Sequence, residues 1–172
     1  EDQGRTGMDV IAHFYRRPEG VMCVKERPWQ GLYSDGITTL DDERGKASHI
    51  LAEPWQTDDS IGSWGYNENT PYTTADAVVD KIVDIVSKNG SLLLNIGPKP
   101  DGSVPDIATE RLTAVGKWLG KYGDLIYGKV DRVHHMEWLA NGGWTRRGRT
   151  LYFWCSRWPG SELAVGGLNA RL

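Results

Sequence analysis

A chain of 172 residues holds one domain or one and a half, and a net charge of −3 gives no electrostatic reason to expect nucleic acid or an anionic membrane as partner. Hydrophobic residues make up 39 % of it, but the apolar runs are only a few residues long, so none reads as a membrane span. The two cysteines, Cys23 and Cys155, form no disulfide framework and are expected as buried free thiols in apolar, strand-like surroundings.

The first periodic stretch, residues 7–17, puts Val10, Ile11, Phe14 and Tyr15 on one helical face, with Arg16 and Arg17 in the last turn and Pro18 as the stop. Residues 21–24 then read as a short apolar strand. From Lys25 to about Asp59 no strong period appears, and a long aromatic and charged loop carrying function is expected there. Residues 60–66 alternate and read as a strand ending in the turn cluster Asn67-Glu-Asn-Thr-Pro71. Thr73 or Thr74 caps a helix to Lys88, whose buried face runs from Ala75 to Val86, and Asn89-Gly90 stops it. Asn89-Gly90-Ser91 is also formally a glycosylation sequon, which carries little weight at a helix-to-strand turn.

Residues 92–96 (Leu-Leu-Leu-Asn-Ile) form an apolar run fenced by Gly90 and Gly97-Pro98. Such a run fits a strand covered on both faces, inside an α/β unit whose ligands gather at the strand's C-terminal end, near Asn95. A helix follows from Pro105 to about Tyr122, with Ile107, Leu112, Val115, Trp118 and Leu119 inward. From Lys129 the pattern turns to strands, 131–139 and 150–156, about a turn at Asn141-Gly142-Gly143, the start of an antiparallel β domain. The expected division is residues 1–128 and residues 129–172.

Three residues invite a chemical reading. Glu43, in Asp41-Asp-Glu-Arg-Gly45, sits among carboxylates and near aromatics, where a carboxylic acid can be tuned to donate a proton; a solvated charge run is the competing reading. Arg27, just past a strand end, suits a carboxylate or a substrate hydroxyl, or else an ordinary surface ion pair. Trp64 offers an apolar wall to a sugar ring, or else packs a core. Eight Trp and seven Tyr against two Phe fit either reading of the aromatics. His13, His49, His134 and His135 have no ligand spacing, no Cys-x-x-Cys occurs, and no phosphate or dinucleotide loop is present, so neither metal nor cofactor is expected.

Taken together, Ser63-Trp-Gly-Tyr-Asn67, Ser87-Lys-Asn-Gly-Ser-Leu-Leu-Leu-Asn-Ile-Gly-Pro98, Asp101-Gly102 and Tyr122-Gly-Asp-Leu-Ile-Tyr-Gly128 resemble the α-L-fucosidases of glycoside hydrolase family 29. The resemblance runs in order over most of residues 8–130. It implies the C-terminal half of a (β/α)8 barrel followed by an incomplete antiparallel β-sandwich, and retaining hydrolysis of α-linked L-fucose from oligosaccharides or glycoconjugates. Carried over by position, Glu43 matches the acid/base with Glu26 as fallback, Arg27 a fucose-contacting arginine, and Trp64 an aromatic beside the sugar. The family's nucleophilic Asp has no counterpart here. A whole barrel needs about 250 residues, and the chain opens Glu-Asp-Gln-Gly without an initiator Met. It is therefore expected as a processed or excised piece, completed by a missing N-terminal half or by a homo-oligomer. A non-catalytic fucose-binding module and a purely structural piece remain the alternatives.

Overall fold

A computed structural model gives the structure over residues 3–17, 19–25, 32, 35–127, 131–133 and 142–165. The elements are α1 (Gln3–Phe14), β1 (Cys23–Lys25), β2 (Thr39–Asp41), β3 (Trp55–Ser60), α2 (Ala75–Ser87), β4 (Gly90–Asn95), α3 (Asp106–Tyr122) with a 3-10 turn at Gly123–Leu125, then β5 (Asp131–Arg132), β6 (Gly142–Arg147) and β7 (Thr150–Cys155). Strands β1 to β4 make a parallel sheet in sequence order, and β5 to β7 an antiparallel one. The architecture is α/β, a parallel sheet followed by an antiparallel sheet.

Register sorts the parallel sheet's residues by face. Val24, Leu40, Trp55 and Gly90 stand side by side, as do Thr57 with Leu92 and Asp59 with Leu94, and alternation turns these toward the helices. Trp55 and Thr57 are buried accordingly. The core of this layer is Ile61, Val78, Ala108 and Val115, with Leu94, Ile82, Leu112 and Leu119 packed around it. Fully burying each aliphatic side chain of that kind contributes about 1.5–3 kcal/mol. The N-terminus of α2 is fixed by Thr74, whose hydroxyl accepts from the Ala77 N–H at 3.2 Å. Its end is fixed by Asn89 at φ 69°, a left-handed position that Asn tolerates.

The opposite face carries Lys25, Asp41, Gln56 and Ser91 in one row, and Asp58 with Leu93 above it. Here the expectation for residues 92–96 fails: Leu93 is 57 % exposed, on the face turned away from α2 and α3, and β4 is an edge strand among the described residues. The stretch 25–59 is likewise not one loop, since β2 and the first five residues of β3 lie in it. Strand β2 has only three residues. Strand β3 (Trp-Gln-Thr-Asp-Asp-Ser) is polar on both faces, so it shows neither alternation nor an apolar run. The strand expected at 60–66 thus ends where it was expected to begin.

Helix α1 begins at Gln3 and buries Ile11, while Val10 is 57 % exposed and Phe14 and Tyr15 lie at the surface. The expected face is only partly packed; Tyr15 Oη instead donates to the Ile37 carbonyl at 2.5 Å. Pro18 lies outside the described residues. Both cysteines are exposed rather than buried: Cys23 is on edge strand β1, and Cys155 closes the last strand.

In the antiparallel sheet, Gly142 and Gly143 open β6 instead of making a turn, and their backbones pair with Cys155 and Trp154. The turn falls at Gly148-Arg149 between the paired Arg147 and Thr150, and Gly148 takes the φ of 60° that a two-residue hairpin demands. Strand β5 covers only the start of the strand expected at 131–139; residues 134–141 lie outside the described residues. The hairpin packs on the helices through Trp154, whose ring centroid is 5.3 Å from that of Trp118.

Candidate active site

The C-terminal ends of β1, β2 and β3 converge on a charged rim. Asp42 donates its N–H to the Gln56 carbonyl at 2.9 Å, and Thr57 Oγ1 donates to the Asp42 carbonyl at 2.8 Å, so the exit of β2 is laced onto β3. The chain then reverses: the Gly45 N–H bonds the Asp42 carbonyl at 2.8 Å, with Glu43 and Arg44 at the corners. Arg44 sits at φ 54°, a strained conformation for a side chain of its size, and its N–H is held by the Asp58 carbonyl at 2.9 Å. A Cβ at Gly45 would lie 1.8 Å from the Asp42 carboxylate, which would have to swing aside to admit it. Glu43 is therefore presented by a tight turn just past a strand, not by a long loop.

Glu43 Oε2 accepts from Lys25 Nζ at 3.0 Å, and the same ammonium reaches Asp58 Oδ2 at 2.5 Å. Lys25 and Glu43 are half-exposed, whereas the Asp58 side chain is 12 % exposed. Hydrogen bonds to Asp58 first and Glu43 second hold the Lys25 ammonium protonated beyond the usual lysine range. Asp41, next to Lys25 in the register, has its carboxyl pushed up by burial and by the Asp58 carboxylate, against the Gln56 amide that donates to it at 3.2 Å. Asp41 Oδ1 and Asp58 Oδ1 are buried without a hydrogen-bond partner among the described residues.

Trp64 lies four residues beyond β3, in a loop, and not at a strand end. Asn95, the last residue of β4, holds that loop: its Nδ2 donates to the Trp64 carbonyl at 2.7 Å and to Ser60 Oγ at 3.2 Å, and Ser60 Oγ donates to the Ser63 carbonyl at 2.7 Å. The indole is 40 % exposed, with the Arg44 guanidinium 4.8 Å and Lys25 Nζ 6.0 Å from its ring centre. Asp59, on the helix side, anchors Arg44 at 3.9 Å and pairs with Lys81. Burial pushes the Asp59 carboxyl up, but Lys81, the Ser60 N–H and Arg44 outweigh it and leave it below the usual range.

Glu43 and Trp64 are thus on one rim, joined through Lys25 and Arg44. Arg27 and its neighbour Glu26 lie outside the described residues. Sequence reasoning missed Lys25, Arg44 and Asp58; Lys25 lies two residues before Arg27, Arg44 sits inside the motif quoted for Glu43, and Asp58 was hidden in a stretch read as loop. Away from the rim, a groove of about 1210 Å³ runs between α2, α3 and the β6–β7 hairpin, past Asp80, Lys88, Trp118 and Trp154. Lys88 there is paired with Asp84 at 2.7 Å, and no glutamate among the described residues lines the groove.

The sequence profile of the family described as Alpha-L-fucosidase matches residues 2–124. The plasma α-L-fucosidase of Homo sapiens is 37 % identical over 149 residues, which is 80 % of this chain and 31 % of that protein. Among solved structures, an α-L-fucosidase superposes with a TM-score of 0.69 at 32 % identity, over 84 % of this chain and 34 % of the other. The Thermotoga maritima α-fucosidase in complex with fucose gives 0.53 at 32 % identity, over 67 % of this chain and 30 % of that one. The chain spans about a third of the length of the relatives it matches. With a family match over most of its length, this chain belongs to the α-L-fucosidase family.

Proposed function

We propose that the chain forms the acid/base side of a retaining α-L-fucosidase site acting on fucosylated oligosaccharides or glycoconjugates. The observation that carries this is the joining of Glu43 and Trp64 through one ammonium, Lys25 Nζ, at the C-terminal rim of a parallel sheet. Glu43 is the proton donor to the departing glycosidic oxygen and then the base that activates water. Trp64 is the wall for the apolar face of the sugar, and Arg27 grips its hydroxyls. Because retention needs a second carboxylate about 5–5.5 Å away, the nucleophilic Asp comes from residues outside this chain or from a partner chain. Asp58 does not suit that role, since it is buried behind Lys25.

Four parallel strands in sequence order, with α2 and α3 on one face and Ser91 and Leu93 exposed on the other, support reading residues 1–128 as half of a (β/α)8 barrel. Residues 129–172 then begin the C-terminal β domain. The open face and the edges β1 and β4 are completed by the same outside source or by self-association.

Calorimetry with L-fucose and turnover of an aryl α-L-fucoside test this. Fucose binding that weakens about tenfold or more in Trp64→Ala, for the loss of a stacking wall, and survives Glu43→Gln is expected, with slow or no turnover by the chain alone. Absence of fucose binding contradicts the site. Rapid turnover by the chain alone, lost in Glu43→Gln, contradicts an external nucleophile.

A further inference from the structure

Glu43 stands on a turn with nearly half of its side chain open to solvent, which by itself is a poor mount for a proton donor that must meet one oxygen atom. A glutamate has three rotatable bonds, and an exposed ion pair holds it weakly. Its partner here is different in kind. Lys25 is the last residue of β1, it neighbours Asp41 in the ladder, and its ammonium is shared with Asp58, a residue of β3 whose side chain is 12 % exposed. The shorter contact, 2.5 Å, is the one to Asp58, and the 3.0 Å contact is the one to Glu43. Asp41 and Asp58 crowd the base of the ammonium with negative charge, while Arg44, a second cation nearby, is drawn toward Asp59 and Trp64.

We propose that Lys25, anchored by the buried Asp58, is a positioning residue that fixes the Glu43 carboxylate at the rim. This rests on the reading of Glu43 as acid/base. The order of dependence runs from Asp58 to Lys25 to Glu43: the buried carboxylate immobilises the ammonium, and the ammonium selects one rotamer of the exposed glutamate. A bare surface pair would have no such order.

The test is the 1H–15N spectrum of the lysine ammonium groups in the full chain, recorded cold at mildly acidic pH and assigned through Lys25→Arg. The expected result is a slowly exchanging Lys25 signal that vanishes in Asp58→Asn but survives, shifted, in Glu43→Gln. A signal absent from the wild type, indifferent to Asp58→Asn, or erased by Glu43→Gln overturns the arrangement. Aryl fucoside turnover on the same samples, where the chain shows it, separates this claim from the function it rests on. In that slow turnover Lys25→Met is expected to lower kcat about a hundredfold, the scale of a misplaced catalytic group, with KM unchanged and Lys25→Arg restoring most of it. Turnover lost in Glu43→Gln yet untouched by Lys25→Met overturns the positioning role. Turnover indifferent to Glu43→Gln overturns the proposed function instead, and there, as in a chain that turns nothing over, the spectrum alone decides the place of Lys25.

Discussion

At the corner of the tight turn that follows β2, Arg44 is held in a left-handed conformation that costs a non-glycine residue about 1–2 kcal/mol. Its guanidinium over Trp64 and its contact with Asp59 accompany that strain. Arg44→Gly should therefore leave the melting temperature level or raise it, while fucose affinity falls; calorimetry and thermal melts on one sample check both. Two carboxylates on the rim act oppositely with pH. Asp59 is depressed, so its contribution to stability is present above the unfolded value of about 3.9 and is lost as pH falls through its lower folded value. Asp41 is raised, so its contribution is present below about 3.9 and lost as pH rises through its higher folded value. Asp41→Asn should melt above wild type at neutral pH and converge with it in acid. Asp59→Asn should melt lower at neutral pH, by about 2–4 °C per kcal/mol lost, with a flatter acid limb. Melts from pH 3 to 7, a span of about four units that brackets the carboxylate range, read both signs.

At the scale of elements, residues with a strong local signature were legible. Thr74, Asn89 and the 3.6-residue spacing of Val78, Ile82 and Ile85 announce α2, and the helix stands within a residue or two of its expected bounds. Glu43 and Trp64 invited a chemical reading from their own surroundings, and the resemblance is what favoured it over a solvated charge run and a packed core. Strand β3 was not legible, because what makes it a strand is tertiary: Asp59 is stabilised by Lys81 of α2, Asp58 by Lys25 of β1, and Ser60 by Asn95 of β4. None of those partners is near in sequence. The hairpin was misplaced for a related reason, since two glycines that look like a turn are used for pairing with Trp154 and Cys155. Ile61, fully buried just after β3, locks the rim-bearing loop onto α2 and α3. Ile61→Ala should cost about 2–5 kcal/mol, against about 1 kcal/mol for loss of the Thr74 cap; urea unfolding distinguishes them.

For the whole molecule, the contrast between the two faces of the parallel sheet organises everything else. One face is sealed by α2 and α3 around Ile61, Val78, Ala108 and Val115; the other presents a polar row with Ser91 and Leu93 open. Among the described residues no helix is long and apolar enough to cross a membrane. The central claim is that the rim above the open face receives fucose. A crystal structure of the chain soaked with L-fucose tests it most directly. The sugar should lie against the Trp64 ring with its anomeric oxygen within about 3 Å of the Glu43 carboxyl. Fucose seated in the groove between α2, α3 and the hairpin, or a vacant rim at saturating sugar, would contradict the account.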